Sequence, residues 1–539
     1  MKSGRPLEPL PAPLIAGLLH SSAYPEDPSA RGRIEHVQTH LSHVFLTGKK
    51  VYKLRKAVDL GFVCFATKAQ RDADCLREVE LGRRLAPDVY LGVAPVRLAG
   101  RRVRVGPVSD ALLARAAGTE HCVVMRRLPQ GRDALSLLGA GRLRPEQIDR
   151  VALAVARFHA ANRLSPRQHG SALAWLERSV APVRQNFELL REASVGVPGR
   201  PALLRAATLA HAAALARGFV ASHRARFEAR RRARRGVDGH GDLHLQHVFF
   251  ETDDAAPLLI DCLEFRDDLR QIDAAAEVAF LAMDLRYRGR AKFAERFLRS
   301  YAAAADDYDL YGVVDYYVRY RAAVRAKVAA LAAVDPQLAN AQQRAAAASA
   351  RRHLALAART RLTSEQPGVV ALCGIVGTGK SAVARAAADV LAGVVISSDV
   401  VRRRGAAAPL YTERGKDRIY TELLERAKPV VESGRVAILD ATFDRAGRRE
   451  SLLRFAAAHR VPAVLLETRC PPAMTLARLA RRKAEGRDPS QAGPELYAWS
   501  AAHFEPPREW PAAWRRSLWT NRPWRRSLRR ALALLRANR

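Results

Sequence analysis

The stretch Gly374-Ile375-Val376-Gly377-Thr378-Gly379-Lys380-Ser381 decides how the chain is read. An apolar run, Val369-Val370-Ala371-Leu372-Cys373, precedes it and an Ala-rich amphipathic segment, Ala382 to Leu391, follows, so the order is strand, glycine loop, helix. Glycines let a backbone turn its N–H groups inward around a polyphosphate, and the helix N-terminus adds positive potential. Lys380 has the length to reach β/γ-phosphates, and Ser381 offers a hydroxyl to Mg²⁺. A plain strand-to-helix connector would leave the Lys-Ser register and both flanks without a reason.

Beyond the loop, strand and helix patterns alternate, the signature of a mostly parallel sheet with covering helices. Gly393-Val394-Val395-Ile396-Ser397 is a buried strand that delivers Ser398-Asp399-Val400-Val401-Arg402 to the carboxyl end of the sheet, where ligands bind. Asp399 can receive or orient an acceptor hydroxyl there, and Arg402 can hold a phosphate in two-point fashion. Asp417 to Ser433 predicts an amphipathic helix closed by Gly434. Val436-Ala437-Ile438-Leu439 then runs into Asp440-Ala441-Thr442-Phe443, and a carboxylate at that place, Asp440, suits contact with Mg²⁺. Its alternative is a strand-terminal turn aspartate. Ala463 to Thr468 is a fourth strand, and Pro471-Pro472 opens a basic helix from which Arg478 and Arg482 are candidates for a lid over phosphates, with Arg487 beyond it. In the tail, Trp514 to Arg539, three Trp and many Arg raise a membrane or RNA reading. A last strand, Ser517 to Thr520, followed by a helix opened by Pro523 and packed through Leu528, Leu532, Leu534 and Leu535, accounts for it better.

Working back from the loop, Arg359 to Gly368 breaks helical periodicity and contains Pro and Gly, which places a domain boundary there. The expected organisation is a first domain over 1–358, a linker over 359–367 and a second domain over 368–539. At the start of the first domain, Glu35 to Lys56 reads as extended with a Gly48-Lys49 turn, Thr67 to Leu85 as a helix, and Val93 to Val105 and the run before Met125 as strands. Ile148 to Ala161 and most of Ser171 to Glu228 have helical spacing, as do Asp273 to Leu285, Asp307 to Arg325 and Leu338 to Ala358. The layout is a strand-rich lobe followed by a helix-rich one.

The helical lobe carries a second chemical stretch, Gly239-His240-Gly241-Asp242-Leu243-His244-Leu245-Gln246-His247, followed by an apolar strand that ends in Asp261. Two aspartates at the ends of short strands can face one cavity, one serving a substrate hydroxyl and the other Mg²⁺. The competing readings are turn or N-cap aspartates, and a zinc cluster of His240, His244 and His247.

These residues resemble the aminoglycoside phosphotransferase family of protein-kinase-like small-molecule kinases, through His240-Gly241-Asp242 and the strand into Asp261. The resemblance implies that Asp242 is the catalytic base, Asp261 the metal-binding aspartate, Lys53 the phosphate-binding lysine and Glu78 its ion-pair partner. Arg55, Lys56 and Glu80 compete with the last two. The family usually has Asn where His247 stands, and imidazole prefers softer metals than Mg²⁺, so either the second metal site is weakened or His247 acts through a hydrogen bond. The second half resembles P-loop kinases of the polynucleotide-kinase and zeta-toxin-like group through Gly374 to Ser381, Ser398-Asp399-x-x-Arg402, Asp440 to Phe443 and Phe504-Glu505-Pro506-Pro507. The fold class expected is therefore α/β and α+β multidomain, a two-lobed kinase-like domain ahead of a P-loop domain.

The chain has 539 residues, enough for several cores, and six cysteines with no C-x-x-C pair, which argues against a disulfide framework or a cysteine zinc site. No signal peptide or membrane span is credible in its opening residues, so a cytoplasmic protein is expected. The net charge of +36 would attract polyanions, yet abundant Arg and Ala are what a GC-rich genome imposes and stacking aromatics are scarce. The run Arg224 to Arg235 reads as a solvated helix face or loop. Two functions are carried forward. One is an ATP- and Mg²⁺-dependent phosphotransferase acting on an unidentified hydroxyl-bearing substrate. The other is an ATP-switched RNA-binding or regulatory protein whose first half is a degenerate kinase fold.

Overall fold

A computed structural model describes residues 7–59, 61, 63–100, 102–112, 119–194, 203–336, 338–363, 366–404, 413–485 and 493–537. It divides into two compact units, 1–174 with 234–281, and 175–233 with 282–539. Arg487 lies outside the described residues.

The first unit is built on a six-stranded antiparallel sheet of β1 (Glu35–Gln38), β2 (Ser42–Leu46), β3 (Lys50–Arg55), β4 (Tyr90–Ala99), β5 (Arg102–Val105) and β6 (Thr119–Arg126), in the order β1-β2-β3-β6-β4-β5. Alternation along the strands sends Phe45, Tyr52, Leu54, Val96, Cys122 and Val124 to one face, where Leu14 and Leu18 from the leader cover them. Val93, Val123 and Met125 go to the other face, against Cys75 and Val79 of the helix Lys68–Arg83. That helix starts as its sequence dictates, with Thr67 and Gln70 capping each other. The single strand expected over Val93 to Val105 is instead the pair β4 and β5, because Gly100 takes φ +59° and reverses the chain.

After the helix Pro145–Ala161, the unit resumes with β7 (Gly236–Asp238), β8 (Val248–Phe249), β9 (Leu258–Leu259) and β10 (Gln271–Asp273), which form two small antiparallel pairs, β7 with β10 and β8 with β9. They hold the Asp242 and Asp261 loops.

The second unit contains a wholly parallel five-stranded sheet of β11 (Gly368–Cys373), β12 (Val394–Ser397), β13 (Val436–Asp440), β14 (Ala463–Arg469) and β15 (Arg515–Trp519), in the order β12-β13-β11-β14-β15. Strands β12 and β13 lie on one side of β11 and β14 and β15 on the other, so the order reverses at β11 and opens a crevice at its carboxyl end. Val370, Leu372, Ile438, Val464 and Leu466 are buried against the helix Lys380–Leu391. Leu528, Leu532 and Leu535 of the tail join the same core with Leu534 packed beside them, so the tail is a structural element of the sheet.

Compactness divides the chain elsewhere than at residues 359–367. The helices Ala291–Ala305 and Val314–Ala333 cluster with the parallel sheet because buried charges tie them to it. Arg435, at the mouth of β13, bonds Glu295 at 2.8 Å and Asp315 at 2.8 Å. Arg426 bonds Asp306 at 2.9 Å. The basic run 224–235 is also less solvated than its composition suggests, since Arg230 is buried and holds Asp307 at 2.8 Å, while Arg231 and Arg232 fold onto Glu228. Among the described residues, no helix is long and apolar enough to cross a membrane.

Candidate functional sites

In the second unit, the glycine loop crosses the carboxyl end of β11. Gly374 takes φ +134°, and a side chain there would meet the Thr468 carbonyl oxygen at 2.6 Å. Gly377 takes φ +78°, and a Cβ would strike Leu479 and Thr475 at 2.8 Å. Both positions require glycine on conformational and steric grounds. The Lys380 ammonium curls back and donates to the carbonyls of Gly374 and Ile375, both at 2.9 Å, which fixes it across the mouth of the loop. The Thr378 hydroxyl donates to the Ile375 carbonyl at 2.8 Å and pairs with Thr468 at 2.8 Å. The Val376 N–H donates to the Ser500 hydroxyl at 3.2 Å.

Lys380, Ser381, Asp399 and Asp440 come together as the sequence predicts. Burial lowers the Lys380 pKa against the opposing pull of Asp440 and Asp399. Burial raises the Asp440 carboxyl, while a hydrogen bond from Ser381 and the Lys380 charge oppose the rise and Asp399 adds to it. Asp399 also holds Arg402 at 2.7 Å, one turn on in the helix Ser398–Arg404. The two lid candidates separate. Arg482 acts electrostatically on Lys380, whereas Arg478 is tied to the Thr520 hydroxyl and carbonyl, both at 2.9 Å. The Thr520 hydroxyl in turn donates to the Thr378 carbonyl at 2.8 Å, so Arg478 braces the loop through Thr520. The Phe504 to Pro507 motif braces the segment after Asp440, with Glu505 accepting from the Ala446 N–H at 2.7 Å.

In the first unit, Lys53 on β3 bonds Glu78 of the helix Lys68–Arg83 at 2.9 Å, the ion pair expected of them, and also bonds Asp261 at 2.7 Å. Asp261 sits at φ +62°, a strained conformation for an aspartate, and its N–H donates to the Tyr90 hydroxyl at 2.8 Å. Burial raises its carboxyl, but the Lys53 ammonium and the His247 ring outweigh that and hold it well below the usual carboxylate range. Arg55 has its own place here. It is buried and bonds Asp74 at 2.5 Å, Glu78 at 2.6 Å and Glu264, so it does not replace Lys53 as the residue facing Asp261. Lys56 faces Gln38 instead, and Glu80 pairs with Arg77 on the exposed side of the helix. Burial raises the Glu264 carboxyl, with Arg55 opposing and Glu78 and Asp74 reinforcing.

The zinc triad is not what the geometry assembles. His240 Nε2 donates to the Ile260 carbonyl at 2.8 Å and Nδ1 accepts from the Asp242 N–H at 3.3 Å, so both ring nitrogens are engaged. The Glu277 carboxylate accepts from the N–H groups of His240 and Gly241, fixing this turn from the helix Ala274–Tyr287. The group that does converge is Asp242, His244 and His247, with one donor atom from each within 4.8 Å of the others.

Sequence reasoning missed Asp74, Glu264, Ser500 and Thr520. Arg55 and Glu264 flank the motif residues in sequence, a signal that could have been used. Ser500 and Thr520 reach the loop from positions 124 and 142 residues away and leave no local trace.

Comparison with known proteins adds two matched regions. Residues 52–314 match the phosphotransferase enzyme family, and residues 369–507 match an AAA domain. The chain is 33% identical over 450 residues, 80% of its length and 82% of theirs, to uncharacterized proteins of Mycobacterium tuberculosis and Mycobacterium bovis. Among solved structures, a choline/ethanolamine kinase family protein of Mesorhizobium loti aligns at 14% identity and TM-score 0.37, covering 64% of this chain and 99% of that one. A gluconokinase of Sinorhizobium meliloti aligns at 19% identity and TM-score 0.26, covering 32% and 94%.

Proposed function

Because the chain belongs to the same family as these mycobacterial proteins and carries a phosphotransferase-type region ahead of an AAA-type region, we propose that it transfers the γ-phosphoryl group of ATP to a hydroxyl of an acceptor. The observation that carries this reading is the convergence of Lys380, Ser381, Asp399 and Asp440 on the glycine loop. The amides of residues 374 to 381 would cradle the phosphates, with Lys380 neutralising charge on the transferring group. An acceptor oxygen attacks phosphorus, the bond to the bridging oxygen of ADP breaks, and the acceptor proton passes to the Asp399 carboxylate, which Arg402 orients. Ser381 and Asp440 present two hard oxygens side by side and fit Mg²⁺, which when bound would neutralise phosphate charge. Arg482 would close on the phosphates.

In the kinase-like half, Asp242 would act as base, and Lys53, positioned by Glu78, would meet phosphate oxygens. Labelled ATP incubated with pools of hydroxyl compounds tests the reading. Transfer should be lost in Lys380→Ala and Asp399→Ala. Transfer that survives Lys380→Ala but is lost in Asp242→Ala would move the working site to the kinase-like half.

A further inference from the structure

Away from the glycine loop, within the second unit, a cavity of about 230 Å³ opens. Its walls are the helix Ala206–Arg232, the turn Tyr308–Gly312, the start of the helix Val314–Ala333, residues 360–363 and the end of the helix Glu413–Glu432. Thr363 and Ser433 lead into the amino ends of β11 and β13, whereas the glycine loop crosses the carboxyl end of β11, so the cavity lies at the opposite end of the sheet. The first of these helices makes room for it by leaving helical geometry at His223 (φ −128°, ψ 25°), where the ring Nδ1 donates to the Phe219 carbonyl at 3.1 Å. A side chain inserted into the i→i−4 ladder is a known cause of such a kink. The Phe219 ring stacks on both His223 and Tyr316, with centroids 4.5 and 5.4 Å away, and keeps this wall in place.

The charges that line the cavity do not cancel. Its two carboxylates are already held, Asp315 by Arg435 at 2.8 Å and Glu432 by Arg226 at 3.1 Å. Two further guanidiniums have no carboxylate at ion-pair distance among the described residues. Arg319 spends three N–H groups on the carbonyls of Arg359, Asp315 and Thr360, at 3.0, 3.1 and 2.8 Å, and keeps the rest of its five. Burial lowers its pKa against the pull of Asp315, and the nearby Arg286 and Arg435 charges add to the fall. Arg361 is exposed at the rim. The hydroxyls of Thr363 and Ser433 are committed to the carbonyls of Gly434 and Val430. Tyr311 is different: it is 2% exposed, and its hydroxyl is buried without a hydrogen-bond partner among the described residues. Burial raises that hydroxyl well above the usual tyrosine range, so it keeps its proton as a donor. We propose that this cavity binds a small phosphate dianion, inorganic phosphate or the head of a phosphate monoester, between Arg319 and Arg361 with Tyr311 donating to one of its oxygens. Two unmatched positive charges suit a phosphate carrying about −1.5 to −2 at neutral pH, and a single carboxylate would leave one of them unmatched. The volume falls short of the roughly 300–1,000 Å³ of drug-sized ligand sites, which suits an occupant of this size and not a nucleoside triphosphate.

The test is calorimetric and uses the full-length protein, first saturated with a non-hydrolysable ATP analogue and Mg²⁺ so that nucleotide sites are filled. Inorganic phosphate is then titrated in one arm and glycerol 3-phosphate in the other. At least one of them should bind at one site per chain. Equal affinities mean that the free anion suffices, and tighter binding of the ester means that the cavity also grips its organic part. Arg361→Gln, an exposed change that leaves the fold alone, should weaken this binding about 10-fold or more. Tyr311→Phe should weaken it about 3- to 10-fold while leaving the thermal midpoint of the unliganded protein unchanged or higher, because only a buried hydroxyl without a partner is deleted. Failure of both probes to bind at millimolar concentration overturns the proposal. Wild-type affinity in either variant also overturns it, since the anion would then sit elsewhere on the chain. A failure of the proposed nucleotide binding shows separately, in the saturation step, and does not alter what the two variants report.

Discussion

In the glycine loop, the proposed phosphate-binding chemistry is compressed into eight consecutive residues, whereas the kinase-like site draws Lys53 to Glu78 and Asp261 across 25 and 208 positions. The loop relies on main-chain groups plus one ammonium. The kinase-like site is a cluster of opposed side-chain charges, with Lys53 and Arg55 set among Asp74, Glu78, Asp261 and Glu264. A main-chain site loses function without losing the fold when its one charge is removed. A side-chain cluster should lose the fold first, because every carboxylate in it depends on a cation that another carboxylate also uses.

The sharpest way to break this contrast is Lys380→Ala. Phosphotransfer should fall by roughly 10³-fold, since in the proposed mechanism the ammonium acts on charge that develops in the transition state. Its burial already disfavours its charged form, so the unfolding midpoint should move by about 2–4 °C or less. Steady-state assays with labelled ATP, beside thermal melts, check both halves of the statement. A collapse of the fold would mean that the loop is as dependent on its charge as the other site.

Arg55→Met is the matching experiment in the kinase-like site. It removes the buried cation partner of Asp74 and Glu264 and leaves Glu78 to Lys53 alone, and breaking such a network costs about 3–5 kcal/mol. Urea unfolding followed by a probe in the first unit reads this. The same change at Arg402, whose partner Asp399 is partly exposed, should cost less than about 1 kcal/mol.

The cluster also sets a pH dependence. Glu264 keeps its proton to higher pH in the folded chain than in the unfolded one, chiefly through burial. Its contribution to stability is therefore complete below its unfolded pKa and is lost as pH rises through the raised folded value. His240 acts with the opposite slope. Burial lowers it to about 4, so its contribution is present above about pH 6.5 and lost as pH falls through the folded value. Unfolding free energies of Glu264→Gln at about pH 5.5 and about pH 8.5 should show less decline with rising pH than the wild type. An unchanged slope would mean that Glu264 stays ionised beside Arg55.

How far each site could be read from the residues follows the same contrast. Gly374 to Ser381, the strand before it and the helix after it are local, and the structure places every element of that segment where the sequence puts it. Asp261 is readable from its place at a strand end, Lys53 and Glu78 only through resemblance, and their neighbours Asp74 and Glu264 not at all, because no periodicity marks a carboxylate as buried against Arg55. The same holds for Arg230 and Arg435, which composition presents as part of a solvated basic surface. In the structure each is almost wholly enclosed and paired with a carboxylate far along the chain. Hydrophobic alternation located the strands well; it could not split Val93 to Val105, where a single glycine at φ +59° makes the turn.

The smallest effect is expected at Ser500, and it tests whether the loop is as self-contained as its sequence suggests. The Val376 N–H, one of the amides proposed to cradle phosphate, already has a partner in the Ser500 hydroxyl, delivered by the helix Glu495–Ala502. If that bond only satisfies an amide that phosphate would otherwise take, Ser500→Ala frees a donor and loses at most about 1 kcal/mol of support. The KM for ATP should then shift by no more than about 3-fold in either direction with kcat unchanged. If the bond instead holds the loop open before nucleotide arrives, kcat should fall together with kcat/KM, because the amides would have to be ordered during the reaction itself. That second outcome would place a side chain 124 residues away among the groups that shape the cradle, and the loop would then share the long-range dependence of the kinase-like site.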